Sequence, residues 1–283
     1  MTANPDSTIQ ANVVRNSIFP GGAMIRRSKE CPKLLVSVRS RMEADRALAG
    51  GADILDVKEP SSGSLGMAAI NEIAAIAVAA KVVTGAVPLS VALGEVVDWS
   101  SASHFPVLPS GIAFAKLGLS HCLDIPDWRS EWLRVRIAFE HASMSKPGWV
   151  AVAYADSREA VAPGIPEVLD AAIETGCSGL LIDTWTKDGR TLLDELNVGD
   201  LMEAANRCHS AGIFIALAGR LDRDSLPVLS AVPVDIIAIR SAACTGSDRT
   251  AELDANLVHE FQREMQHQAD SASPICVWHV IRS

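Results

Sequence analysis

The chain has 283 residues, of which 48% are hydrophobic and 21% are charged, and its formal net charge at pH 7 is -9. This composition can bury a sizeable core and excludes disordered and fibrous classes. The acidic balance argues against nucleic acid or a membrane surface as the main partner, because both bind basic proteins. An anionic small-molecule substrate would need a pocket that is positive only locally.

The cysteines and the two ends of the chain bear on location and assembly. Six cysteines are scattered without a Cys-x-x-Cys pair, which is typical of a reduced cytoplasmic protein with buried free thiols. No apolar run reaches the roughly 20 residues needed to span a bilayer. Residues 1–30 lack an apolar signal region and are predicted to be a flexible extension, while residues 269–283 form a tail suited to docking on a surface or a neighbouring subunit. We expect a cytoplasmic homo-oligomer.

Eight short apolar runs are predicted strands. Between most of them lie helical patterns, the clearest of which begins with a capping box from Ser40 to Glu43 and ends at Gly50. Nearly continuous apolar strands that alternate with helices indicate a parallel sheet covered by helices. In chain order the runs are KLLVSV (33–38), DILDV (53–57), KVVTGAV (81–87), IAFAKLG (112–118), WVAVAYA (149–155), GLLIDT (179–184), IFIALAG (213–219) and VDIIAIR (234–240).

The number and spacing of these units predict the fold. Eight strand and helix units within residues 31–268 match a single α/β domain, a (β/α)8 TIM barrel, which typically has ~250 residues. A doubly wound open sheet is the alternative. Its dinucleotide-binding form would carry Gly-x-Gly-x-x-Gly after the first strand, where this chain has SVRSRMEADRA.

Polar side chains lie at the predicted carboxyl ends of the strands, where a barrel forms its active site. A single lysine at such a position is usually a loop or salt-bridge residue, but three lysines together, two of them inside apolar runs, favour chemistry. Asp53 and Asp235, at the beginnings of strands, are predicted to face the opposite, stabilising end. The polar residues at the carboxyl ends are Ser37, Asp56, Lys58, Lys116, Asp156, Asp183 and Lys187.

The lysine cluster predicts carbonyl chemistry. A lysine amine can form a Schiff base when burial or neighbouring cations lower its pKa enough to populate the neutral form. Asp56 precedes Lys58 by two residues, so both point to the same side of the strand. Asp183 and Lys187 are separated by a short stretch and could act as a second acid and base pair.

The ends of strands 7 and 8 predict a phosphate site. Loops at this position in many barrels bind phosphate through backbone N–H groups. The predicted substrate- and phosphate-binding residues are Ser37, Asp156, Gly219, Arg220, Arg240, Ser241 and Ala242. The seven histidines show no His-Glu-x-x-His or similar spacing, so we expect neither a metal nor a cofactor.

Several of these segments together resemble a known family, the (5-formylfuran-3-yl)methyl phosphate synthases of methanofuran biosynthesis. The segments are GGADILDVKEPSSGSLG, FAKLGL, YAD, LIDTWTKDGRTL, ALAGR and DIIAIRSAAC ahead of DR, and they span roughly residues 34–265. The resemblance implies a barrel lyase that condenses two molecules of glyceraldehyde 3-phosphate, a triose phosphate, with loss of one phosphate and water. It implies that Lys58 forms the Schiff base and Lys116 accepts a proton, with Asp56, Asp183 and Lys187 in support.

Two residues depart from the family pattern, and two other functions remain as alternatives to the synthase. Glu59 stands where the resemblance leads us to expect a smaller polar residue, and Ser241 replaces a glycine. Another sugar-phosphate barrel enzyme, either a class I aldolase or a decarboxylase with an Asp-x-Lys array, would use similar residues. A phosphate-binding barrel without catalysis is the third hypothesis.

Overall fold

The computed structural model describes residues 17–18, 24–25, 31–83, 87–143 and 146–272. Most of the predicted N-terminal extension and the tail beyond residue 272 lie outside the described residues, so the predicted domain limits stay predictions. Two strands of the N-terminal region, Ser17–Ile18 and Met24–Ile25, pair in antiparallel orientation.

Eight parallel strands close into a barrel. Each strand pairs with the next one along the chain, and the last pairs with the first through partners such as Ile237 and Leu34. This topology confirms the predicted (β/α)8 barrel and excludes the open sheet. The strands are β1 (Lys33–Val38), β2 (Ile54–Val57), β3 (Leu89–Glu95), β4 (Phe114–Gly118), β5 (Gly148–Tyr154), β6 (Gly179–Asp183), β7 (Phe214–Leu217) and β8 (Ile236–Ile239).

The third predicted strand was wrong. Its first three residues, 81–83, belong to the second helix, and the strand begins only at Leu89. Extending a helix that has already formed is favourable. The alanine-rich helix before Lys81 therefore continues through two β-branched valines in spite of their preference for strands. The prediction was therefore displaced towards the N-terminus by several residues.

The helices surround the barrel, and the first of them begins where its capping box indicates. Ser40 caps the first helix by accepting a hydrogen bond from the Glu43 backbone N–H, at 3.3 Å. The connection from β3 to β4, described completely over residues 96–113, holds the 3₁₀ turn Val96–Trp99 and no α-helix. The helices are α1 (Arg41–Ala49), α2 (Ile70–Val83), α3 (Trp128–Ala142), α4 (Ile165–Glu174), α5 (Leu192–Glu195), α6 (Val198–Ser210), α7 (Leu226–Leu229) and α8 (Ala255–Ala272).

Two hydrophobic clusters form the core. The larger one fills the space between the strands and the helices. The smaller one fills the interior of the barrel, where the rings of Phe114 and Phe214 meet edge to face with centroids 5.5 Å apart. Because apolar side chains occupy the amino-terminal part of the interior, polar residues meet only at the carboxyl ends of the strands.

Two further features of the described residues are the state of the cysteines and the apolar character of the helices. The described cysteines are all free thiols, and four of them are buried: Cys122, Cys177, Cys208 and Cys244. Across the described residues we find no helix with the length and apolar character needed to cross a bilayer.

Candidate active site

A cavity of about 230 Å³ opens at the carboxyl ends of the strands. The barrel geometry brings together residues from six of its strands and their following loops, far apart in sequence. Asp156 and Ala242 are predicted site residues that do not line this cavity. Those that do are Ser37, Asp56, Lys58, Lys116, Asp183, Lys187, Gly219, Arg220, Arg240 and Ser241.

The deepest pair in the cavity joins β2 and β4. Lys116 Nζ lies 2.8 Å from Asp56 Oδ1, and both side chains are almost fully buried. Ser37 donates a further hydrogen bond to Asp56 Oδ2 at 3.2 Å. Burial acts to raise the pKa of Asp56, but the positive charges of Lys116 and Lys58 outweigh it, so the net shift is downward. Asp56 is therefore an ionised partner for Lys116.

Lys58 differs from its neighbours because it has no carboxylate of its own. Its half-buried amine donates only to the backbone oxygen of Ser64, at 3.4 Å, and forms no ion pair with any described residue. Burial lowers the pKa of Lys58 to about 8; Asp183 and Asp56 oppose the shift, and the two other lysines of the site reinforce it. With a pKa of about 8, about a tenth of this amine is uncharged and nucleophilic at pH 7.

The second ion pair lies at the end of β6. Lys187 Nζ is 3.6 Å from Asp183 Oδ1 and also donates to the backbone oxygen of Thr184. Burial raises the pKa of Asp183, but Lys187 and Lys58 outweigh this effect and leave it below its usual value. The pKa of Lys187 is itself lowered, first by loss of solvent, with Asp183 opposing. Two paired lysines thus flank one unpaired lysine.

The loop after β2 is held in place by contacts within it and with β6. Ser64 Oγ donates to the Thr184 backbone oxygen at 2.7 Å, which joins the loops that carry Lys58 and Lys187. Glu59 accepts a hydrogen bond from the Ser61 backbone N–H at 3.0 Å and so caps the turn Pro60–Ser62. This cap supplies the physical reason for Glu59, which the sequence alone did not reveal.

Asp156 supports the site from outside the cavity. Its carboxylate accepts hydrogen bonds from the backbone N–H groups of Trp185 and Thr186, each at 2.7 Å. These bonds fix the start of the loop that carries Lys187. The structure therefore gives Asp156 a positioning role instead of the predicted substrate contact.

Arg240 also differs from its prediction as a phosphate ligand. Its guanidinium pairs with buried Glu43, with Nη2 3.1 Å from Oε1. It also donates to the backbone oxygens of Ser37, Arg249 and Ala251. An arginine has five N–H donors, and these bonds use all of them, so none is left for a phosphate in this arrangement.

The loop after β7 keeps the features expected of a close-approach turn. Gly219 has a φ of 103°, and a Cβ atom there would lie 3.0 Å from Thr184 Cγ2. Arg220 follows with a φ of 53°, a left-handed conformation that is uncommon for residues other than glycine. Ser241 lines the cavity from the first position of the 3₁₀ turn Ser241–Ala243.

Two features of the mouth escaped the sequence analysis. Arg249 lines the cavity and donates to the Gly63 backbone oxygen at 2.8 Å. Its signal in the sequence is the DR pair after strand 8, which is part of the family resemblance.

The second feature is a polar pair that closes the β3 to β5 side of the mouth. Tyr154 donates to Glu95 Oε1 at 2.6 Å, and the Ser120 backbone N–H donates to Oε2 at 2.9 Å. Burial raises the pKa of Glu95 despite these bonds. Any side chain at Gly118 would collide with both partners of the pair. Glu95 was missed because the strand that carries it was placed wrongly.

Within the described ranges, no group of three or more histidine, cysteine, aspartate or glutamate side chains is arranged to hold a metal ion. The amines and carboxylates that line the cavity are groups that can act on a carbonyl compound.

A sequence profile described as 4-HFC-P synthase matches residues 34–262. The chain belongs to this family. Relatives named (5-formylfuran-3-yl)methyl phosphate synthase support the assignment. The one from Methanobrevibacter smithii is 33% identical over 244 residues, covering 84% of this chain and 99% of the relative. The one from Methanocaldococcus jannaschii is 34% identical over 238 residues, covering 81% and 97%. These matches confirm the resemblance to the (5-formylfuran-3-yl)methyl phosphate synthases.

Solved structures of other proteins share the barrel of this family. Thiamine phosphate pyrophosphorylase from Pyrococcus furiosus superposes with a TM-score of 0.52 at 16% identity, covering 85% of this chain and 98% of that one. KGPDC from Streptococcus mutans in complex with D-R5P gives 0.52 at 14% identity, covering 83% and 98%. At such identities the likeness concerns the fold alone.

Proposed function

We propose that this 4-HFC-P synthase family member condenses two molecules of glyceraldehyde 3-phosphate into (5-formylfuran-3-yl)methyl phosphate through a Schiff base on Lys58. The balanced reaction releases one phosphate and two molecules of water, which makes it a carbon–oxygen lyase of methanofuran-type cofactor biosynthesis. The observation that carries the proposal is an unpaired amine, with a pKa of about 8, between two lysine–carboxylate pairs. The product is the one for which the relatives are named.

The first stage of the proposed reaction prepares a carbon nucleophile. One triose phosphate isomerises towards its ketone, which requires removal of the proton next to the carbonyl group. Neutral Lys58 then attacks the carbonyl carbon, and loss of water gives an iminium ion that loses a proton to form an enamine. Lys116 is the proposed proton acceptor. The Asp56 carboxylate, 2.8 Å away, holds the Lys116 amine in position.

The second stage joins the two substrates. The enamine carbon attacks the aldehyde of the second molecule, and the new alkoxide takes a proton. Asp183 and Lys187 form the nearby pair that can supply and remove protons at this point. Ring closure, loss of phosphate and of water, and hydrolysis of the imine then release the furan and free Lys58.

The direct test is an assay of the purified protein with glyceraldehyde 3-phosphate. We expect a furan chromophore and inorganic phosphate to appear in equal amounts, since the balanced reaction forms one of each. If neither product forms over a range of pH and substrate concentration, the proposed function is wrong. Phosphate without furan would indicate elimination from a single triose phosphate instead of condensation.

Reduction with borohydride tests the Schiff base separately. Substrate mass should become attached to Lys58 in wild type and in Lys33→Met, a control that removes the exposed lysine paired with Asp53 at the other end of the barrel. An adduct on another lysine would reassign the nucleophile. Furan formation without any adduct would exclude the Schiff base, and the absence of both products and adduct would favour the decarboxylase type or a non-catalytic barrel.

A further inference from the structure

We propose that the mouth of the barrel holds two separate phosphate-binding positions, one at Arg249 beside Lys58 and one at Arg220 beside the loop of Lys187. Each position would take the phosphate of one triose phosphate. The proposal rests on the proposed function, because a condensation of two phosphorylated substrates requires both phosphates to be bound together. The proposal adds Arg249 to the binding site and assigns Arg249 and Arg220 to the phosphates of two different substrate molecules.

The arginines that line the cavity fall into two classes. Arg240 is paired with Glu43, as described above, and Arg190 is paired with Asp188 at 2.9 Å and with Glu195. Neither needs a further anion. Carboxylate partners therefore neutralise this first class before any substrate arrives.

The second class consists of Arg220 and Arg249. Neither forms an ion pair with any residue for which the structure gives a position, yet both line the cavity. Arg249 is half-buried, and loss of solvent lowers its pKa. A partly desolvated guanidinium without a counter-ion is a ready partner for phosphate, which it can bind through two parallel hydrogen bonds.

Arg249 is joined by a hydrogen bond to the loop that holds Lys58, and its charge also acts on Asp183 and Lys187. It starts in the loop after β8, and its Nη2 donates to the backbone oxygen of Gly63 in the loop after β2, at 2.8 Å. The next residue, Ser64, accepts the hydrogen bond from Lys58 Nζ. The two cations are therefore attached to adjacent residues of one loop. A triose phosphate whose carbonyl group is bound to Lys58 has its phosphate only a few bonds away, within reach of Arg249.

Arg240 holds the backbone on both sides of Thr250, and therefore the loop that carries Arg249, in place. Its Nε donates to the backbone oxygen of Arg249 at 2.8 Å, and its Nη2 donates to that of Ala251 at 3.1 Å. Glu43 in turn is held by the Arg39 backbone N–H at 3.0 Å. Arg240 is thus a positioning residue for Arg249, which explains why a buried arginine stands at the end of β8.

Arg220 lies near the loop after β6, which carries Lys187. It starts in the loop after β7, and its Nη1 lies 3.9 Å from the place that a Cβ atom on Gly189 would occupy. Gly189 belongs to the loop after β6, two residues beyond Lys187. Arg220 therefore serves the side of Asp183 and Lys187, where the second substrate must lie if the first is joined to Lys58.

Binding of inorganic phosphate tests the two positions without any turnover. Calorimetry with the full chain should give a stoichiometry of two for wild type and one for each of Arg249→Gln and Arg220→Gln. Arg190→Gln is the matched control, because it removes the same charge from the mouth but a charge that is already neutralised; it should keep both sites. Arg249→Lys keeps the charge and should retain two sites with a weaker affinity. A stoichiometry of one in wild type, or two in Arg249→Gln, would overturn the proposal.

Borohydride trapping assigns each position to a substrate. Arg249→Gln should raise the glyceraldehyde 3-phosphate concentration for half-maximal labelling of Lys58 at least about tenfold, the effect of losing a charge-assisted contact. With glyceraldehyde, which lacks phosphate, the same variant should label like wild type. Arg220→Gln should label within about twofold of wild type and yet form furan at least about tenfold more slowly.

The failure of this proposal can be told apart from a failure of the proposed function. If Arg220→Gln impairs labelling as much as Arg249→Gln does, a single shared phosphate position replaces the two. If wild type is not labelled at all, the Schiff base is wrong, while the phosphate stoichiometry still decides between one position and two.

Discussion

Four aspartates at the two ends of the barrel show how position determines what the same side chain does. At the amino-terminal end, Asp53 accepts a hydrogen bond from the Leu34 backbone N–H at 2.9 Å, and Asp235 accepts one from the Ile215 backbone N–H at 2.8 Å. Each carboxylate thus ties the start of its strand to the preceding strand. This placement confirms the sequence prediction that both residues face the stabilising end.

The mouth uses the same residue type differently. Asp56 and Asp183 are buried and lie next to Lys116 and Lys187, so their charges act on the amines of the site instead of holding strands together. Burying charge costs stability unless it is paired, and such groups are common at functional sites. The comparison indicates that the amino-terminal aspartates stabilise the fold, while those at the mouth adjust its chemistry.

The largest effect is expected for Lys58→Met. Furan formation should fall at least about 10³-fold, because the covalent step loses its nucleophile. The fold should persist. The folded state lowers the pKa of Lys58 from 10.5 to about 8, so this lysine costs stability below pH 8, and the cost is relieved as pH rises towards 10.5. At pH 7 the variant should therefore be no less stable in urea than wild type, and a large loss of stability would contradict this account.

Asp56→Asn should have the next largest effect. It leaves Lys116 buried without its charge partner, so we expect kcat to fall by about 10²-fold and the free energy of unfolding to fall by a few kcal/mol. Steady-state kinetics and urea unfolding measure the two effects. Ser37→Ala is the milder control, since it removes only the hydrogen bond to Asp56; an equal loss in both variants would show that charge pairing is not what matters.

The pH dependence of borohydride labelling should be a smaller effect than those of the two substitutions above, and it reports directly on the pKa of Lys58. With a pKa of about 8, the neutral fraction of Lys58 rises about tenfold between pH 7 and pH 9, and the initial labelling rate should follow it. In Lys187→Met the midpoint should move to higher pH, because the charge of Lys187 contributes to the lowered pKa of Lys58. A midpoint that stays in place would remove Lys187 from the electrostatics of the nucleophile.

The smallest effect on activity is expected at the other end of the barrel. Asp235→Asn should leave kcat within about twofold of wild type while lowering the free energy of unfolding by about 1–2 kcal/mol, since it weakens contacts to Ile215 and His209. Thermal unfolding and the furan assay measure both quantities. A loss of activity that exceeds the loss of folded protein would contradict the division of work between the two ends.

Much of the site was predictable because barrel strands place consecutive motifs at one end. The residue spacing in DILDVK put Asp56 and Lys58 on one face of a strand, and the barrel brought in Lys116 and Asp183 from strands β4 and β6. The errors have local causes. Valines at the end of an alanine-rich helix resemble a strand, and this displacement also hid Glu95, which belongs to the true β3.

The sequence by itself determined the parallel barrel, the family and the residue types that meet at its mouth, because apolar periodicity and strand-end chemistry are local properties. Only the tertiary structure decided which charges are paired. Lys58 forms no ion pair with a described carboxylate. Arg240 donates all its hydrogen bonds to Glu43 and to backbone oxygens, whereas Arg249 lines the cavity without an ion pair to any described residue. These differences depend on distances between residues as far apart in the chain as Glu43 and Arg240, and pairing energies fall steeply with distance and solvent exposure. No local pattern in the chain carries that information.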